Sequence, residues 1–171
     1  MAKQGWEVYG YEPDPIHHQI ALANIQANPP ALRLWIMNQA LSDKTEFEAV
    51  FIRVGNNTTS SHLEGDKQPY GPVERLMVHM VDCRALIERS DFAKVDCEGH
   101  EATILLTVED KTCEFMVEIT NQANANKIYE HFKSLDIGMW SQKIGWQEVK
   151  SLEDVPNHHS QGHLFIGNHK P

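Results

Sequence analysis

The chain lacks the features that several large protein classes require. Its three cysteines, Cys83, Cys97 and Cys113, are odd in number and include no C-x-x-C pair, which argues against a disulfide framework and a cysteine zinc site. A reduced, cytoplasmic setting suits that usage. Basic charge is also scarce: 15 Lys+Arg against 24 Asp+Glu leave a formal net charge of −9, a field that repels a phosphate backbone and disfavours nucleic acid as a partner. The first residues, Met-Ala-Lys-Gln-Gly-Trp-Glu, contain no apolar core of a secretory signal. No run approaches the roughly 18 apolar residues of a membrane span, so no membrane partner is expected. The 171 residues suit a single domain over 1–171 that buries one core.

What is present alternates. Trp6 to Tyr11 is short, aromatic and β-branched, and it runs into Glu12-Pro13-Asp14-Pro15, where prolines end a ladder. Asp14 can cap a helix with Pro15 first, and Ile16, Ile20, Ala23 and Ala27 recur at helical spacing until Asn28-Pro29-Pro30. Strands are expected at Leu32 to Met37, at residues 47–54 and at Arg75 to Val81. A short helix from Cys83 to Arg89, a strand from Phe92 to Cys97, a helix from His100 to Val108 and a strand from Cys113 to Ile119 continue the pattern. A helix from Asn124 to Leu135 and a β-rich tail complete it, with strand candidates at Ile137 to Trp140, Trp146 to Lys150 and His163 to Ile166. This order predicts an α/β fold: a Rossmann-like, doubly wound, mostly parallel sheet with an antiparallel C-terminal edge. The polar stretch from Gly55 to Pro72 has no periodicity and reads as a functional loop that borders the cleft and orders with substrate.

Ligands of open α/β sheets bind beyond the carboxyl ends of the strands, so the polar residues there carry most weight. Four places qualify: Glu12, the Asn38 to Asp43 segment, the Asp96 to Glu101 turn, and Glu118 to Asn121. Glu12 can accept both hydroxyls of a ribose, or else stabilise a helix start through the macrodipole. Asp96, Glu98 and Glu101 crowd three carboxylates into six residues. Such crowding raises pKa values toward those of a working base; a divalent-cation site or a helix cap are the alternatives. Lys94 and Asp96 share one face of a strand, which favours an ion pair. The ten histidines show no ligand spacing with a third partner, so no metal site is expected.

In order and spacing, the segments Tyr9-Gly10-Tyr11-Glu12-Pro13, Ala40-Leu41-Ser42-Asp43, Val81 to Leu86 and Lys94-Val95-Asp96-Cys97-Glu98-Gly99-His100-Glu101 resemble the FkbM family of S-adenosylmethionine-dependent methyltransferases. The resemblance spans residues 5–120. It implies the class I methyltransferase fold, with Glu12 and Pro13 at the adenosyl ribose and Ala40, Leu41 and Ser42 against adenine. It puts Asp96 and Glu98 at the mouth of the cleft, facing the methyl group and the acceptor. The implied reaction is O-methylation of a hydroxyl on a sugar or other small molecule, with Asp96, Glu98 or His100 as the base.

The chain departs from the family in two respects. His100 stands where the family usually has a small residue. The family's first strand and glycine-rich cofactor loop are absent before Trp6, so the fold is expected to be incomplete at its N-terminus and S-adenosylmethionine to bind weakly. Three responses are open: the strands flanking the gap close on each other, a homo-oligomer fills it, or the natural protein is longer. The rival reading is a non-catalytic remnant or binding module that has lost the cofactor.

Overall fold

Hydrophobic periodicity and proline placement determine most of the elements in the computed structural model, which describes residues 1–28, 33–55, 60–66, 68 and 71–171. Contacts divide the chain into two compact units. One comprises Met1–Glu64 with Pro69–Asp82, the other Gly65–Gln68 with Cys83–Pro171.

In the first unit, β1 (Val8–Tyr11) leads into α1 (Pro15–Gln26) and then β2 (Leu34–Met37), and the two strands pair in parallel from Val8 opposite Leu34 to Tyr11 opposite Met37. Asp14 starts the helix as expected: its Oδ1 accepts the Ile16 N–H at 2.8 Å and the His17 N–H at 3.4 Å, with Pro15 at the first position. Pro29 and Pro30, expected to stop the helix, lie outside the described residues. The expected apolar face of α1 does not become a core face. Ile16 and Ile20 are each 53% exposed and no residue of α1 is buried, because the helix meets β2 through another stripe, with His18 Nε2 3.1 Å from the Ile36 carbonyl.

The same unit holds a four-stranded sheet of β3 (Ala40–Ser42), β4 (Glu46–Val54), β5 (His62–Leu63) and β6 (Val73–Asp82), in the order β3-β6-β4-β5. β4 runs antiparallel to β6 with a register shift between Glu46 and Ala49. Ala40, Ala49, Phe51, Leu63, Val78 and Met80 form its core, so sheet and cluster support each other.

The second unit contains α2 (Arg84–Ile87), β7 (Phe92–Val95), α3 (Glu101–Leu105), β8 (Glu114–Glu118), α4 (Gln122–Ser134), β9 (Gly138–Ser141), β10 (Gln147–Glu148) and β11 (His163–Gly167). Its sheet has the order β10-β9-β11-β8-β7, parallel between β7 and β8 and antiparallel where β11 sits between β8 and β9. Leu105, Phe115, Val117, Ile128, Phe132, Leu164 and Ile166 are at most 1% exposed, and the Phe115 and Phe132 rings meet at 6.3 Å between centroids. Buried and half-buried residues alternate along β8, whereas β11 is buried on both faces as a continuous apolar run, and both patterns are legible in the sequence.

The expected α/β class, with mixed strand directions and an antiparallel C-terminal region, is therefore present. The expected single doubly wound sheet is not: among the described residues the strands form sheets of two, four and five members. Among the described residues β1 has a ladder only to β2, and β7 only to β8. No helix among the described residues is long and apolar enough to cross a membrane.

Candidate functional site

Glu12 follows β1 directly and is clamped by its backbone. Its N–H donates to the Met37 carbonyl at 3.0 Å, and the Asn38 amide donates to the carbonyls of Glu12 and Pro13 at 2.8 and 2.9 Å. Asn38 thus ties the ends of β1 and β2 together. The Glu12 side chain is half-buried, and its Oε1 accepts the Asp14 N–H at 2.8 Å. Burial raises its pKa, against the lowering effects of that hydrogen bond and of His17 and His18. Oε2 receives no bond from the described residues, so the carboxylate keeps acceptor capacity for a ligand.

Asp14, two residues on, has a structural task. It is fully buried and takes a fork from Arg53, Nε to Oδ2 at 2.6 Å and Nη2 to Oδ1 at 2.7 Å, while Arg53 Nη1 also reaches Glu74 at 2.6 Å. Burial opposes the Asp14 charge, but Arg53 and the Ile16 and His17 amides outweigh it and hold the carboxyl below its ordinary range.

The Ala40-Leu41-Ser42 segment, expected as a turn, is instead the strand β3 in parallel register with Met80, Val81 and Asp82 of β6. Ala40 and Ser42 point into the core at 5% and 1% exposure, and Leu41 is half-buried. Only Leu41 and the backbone remain to meet a ligand.

The turn from β7 into α3 is the most constrained part of the second unit. Glu98 has φ of 53° and Gly99 of 121°, a left-handed pair that ordinary turns avoid at a non-glycine residue. Asp96 is exposed and bound by Lys94 at 2.6 Å, the ion pair expected from their spacing. Glu101 is 0% exposed and fully engaged: Oε1 accepts the Gly99 N–H at 2.7 Å, and Oε2 accepts from Asn124 Nδ2 at 2.6 Å and Thr120 Oγ1 at 3.3 Å. Its pKa is raised by burial, against those hydrogen bonds, so crowding among the three carboxylates is not the cause that sequence spacing suggested. Asn124 also donates to the Gly99 carbonyl at 2.7 Å, which locks the turn to α4. The Cys97 thiol is pushed up by burial and then by the charges of Glu101, Asp66 and Asp96, which suppresses the thiolate and any nucleophilic role.

Asp66 was missed in the sequence. It belongs to the long polar loop, and its carboxylate meets His100 Nδ1 with Oδ1 at 3.1 Å and Oδ2 at 3.0 Å. The loop thus reaches the turn as expected, although its residues 56–59, 67, 69 and 70 lie outside the described set. It is also more ordered than expected, since His62 and Leu63 form β5 and are buried. Asp66, Gly99, Thr103, Asn121, Asn124 and Lys127 help line a cavity of about 380 Å³ in this unit. No group of three or more metal-ligating side chains occurs among the described residues.

No family model, curated protein or solved structure matches the chain, so its reading rests on its own residues.

Proposed function

We propose that the chain is an S-adenosylmethionine-dependent O-methyltransferase acting on the hydroxyl of a small molecule or sugar. The observation that carries this reading is the strained Glu98-Gly99 turn. It ends a parallel strand, gathers an imidazole and several carboxylates, and borders a cavity with mixed polar and apolar walls. Backbone strain of this kind costs about 1–3 kcal/mol per residue and persists where the surroundings enforce it, commonly at sites of chemistry.

The residues present fit the adenosyl end of such a cofactor. Glu12, at the carboxyl end of a parallel strand and with acceptor capacity to spare, would take the ribose hydroxyls; Pro13, with Asn38 behind it, fixes its backbone. The bound cofactor would supply an electrophilic methyl group. The chain's own part is to hold the acceptor hydroxyl in line and remove its proton. The antiparallel pairing of β11 with β8 and β9 agrees with the antiparallel C-terminal region expected from the order of the elements.

Saturation-transfer NMR with S-adenosylmethionine at millimolar concentration tests the reading, because it detects weak sites. Saturation of the ribose and adenine protons, abolished by Glu12→Ala, is the expected result. No saturation would leave the remnant or binding-module reading, and Mg²⁺ or Mn²⁺ binding without the nucleoside would favour a metal site.

A further inference from the structure

The cavity beside the Glu98-Gly99 turn carries one charge of each sign. Asp66 enters its wall from the polar loop, and Lys127 from the second turn of α4. Glycine at position 99 is what admits Asp66: a Cβ there would lie 3.1 Å from Asp66 Cβ and 3.2 Å from its carbonyl oxygen. The Asp66 carboxylate is only partly used. One ring nitrogen, His100 Nδ1, lies 3.1 and 3.0 Å from its two oxygens, whereas an ionised carboxylate can accept about four hydrogen bonds.

The donors on the wall are freer still. Among the described residues, neither the Lys127 ammonium nor the Thr103 hydroxyl has a hydrogen-bond or ion-pair partner. Asn121 Nδ2 donates weakly to Thr120 Oγ1 at 3.5 Å and keeps a second hydrogen. Leu106, 42% exposed, adds an apolar wall.

Charge decides what fits. Within a cavity of about 380 Å³, a simple carboxylate or phosphate meets the Asp66 charge, and a simple amine meets that of Lys127. A neutral polyol leaves the Lys127 ammonium without a counter-charge. A molecule with both an ammonium and a carboxylate satisfies both poles at zero net charge, and an aliphatic side chain would cover Leu106. We propose that this cavity binds a free aliphatic amino acid as its zwitterion. The ammonium donates to Asp66, and the carboxylate accepts from Lys127, Thr103 and Asn121. Such binding is independent of methyl transfer, so either can fail without the other.

The test is a titration of the full chain with L-leucine at neutral pH, followed by two-dimensional ¹H–¹⁵N NMR. The expected result is saturable shifts centred on the amides of Asp66, Thr103, Asn121 and Lys127. 4-Methylpentanoate lacks the ammonium and 3-methylbutylamine lacks the carboxylate, so each should bind at least about tenfold more weakly. Lys127→Ala and Asp66→Asn should each weaken leucine binding by a similar factor. Lys127 is exposed, so its variant keeps the test decisive should Asp66→Asn fail to fold. No saturable shift with leucine overturns the proposal, as does unchanged affinity in the folded Lys127→Ala chain. Equal binding of the acid or the amine also overturns it, and so does a response of these amides to glucose but not to leucine.

Discussion

The buried acids Asp14 and Glu101 respond to pH in opposite directions. Asp14 has a lowered folded pKa, so its stabilisation is complete above the unfolded value of about 3.9 and is lost as pH falls through the folded value. Asp14→Ala removes both a helix cap and the partner of a largely buried arginine, and should destabilise the chain by about 3 kcal/mol in urea unfolding at neutral pH. The deficit should narrow as the pH falls through the lowered folded value of Asp14, where the wild-type carboxyl protonates. Glu101 has a raised folded pKa. Its acid form is therefore favoured by folding, and stability drains away as pH rises from about 4.3 through the folded value. Asn124→Ala deletes a donor to the charged form, so its cost of about 1–3 kcal/mol should be larger at pH 7 than at pH 4.

At the scale of elements, the alternation of strand and helix was legible because each element satisfies its own period. Phe115 and Val117 face one way on β8, and Ile128 and Phe132 are one turn apart on α4. β3 was not legible: three residues between polar neighbours carry no period, and parallel pairing with β6 creates the strand. The Asp66–His100 pair was hidden for a similar reason, since 34 residues and a polar loop separate its members. Asn124 was anticipated only as a helix start, whereas Asn121 caps α4 through the Asn124 N–H at 2.9 Å and frees the Asn124 side chain for the turn. Two consequences belong to this scale. Because α1 buries none of its residues and α4 buries five, α1 amides should exchange with deuterium markedly faster than those of α4. Equal protection would show that α1 is covered in solution. Gly99→Ala combines a left-handed φ with contact at 3.1 Å to Asp66, so it should lose about 1–3 kcal/mol of stability and weaken the His100 contact, read as a shift in the ring ¹⁵N signals.

For the whole molecule, the net charge of −9 disfavours phosphorylated acceptors, and a neutral hydroxyl compound is the expected substrate. Glu12 and Pro13 lie in one compact unit and the Glu98-Gly99 turn with its cavity in the other, so each can be tested by its own variant. The central claim is transfer of a methyl group to oxygen. The direct measurement supplies S-adenosylmethionine deuterated at its methyl group, at saturating concentration, with a panel of neutral sugars and alcohols, and follows both products by mass spectrometry. The account predicts a labelled O-methyl ether formed in equal amount with S-adenosylhomocysteine, and loss of both in Glu12→Ala. Saturable binding of the cofactor with no labelled ether from any hydroxyl acceptor would contradict it.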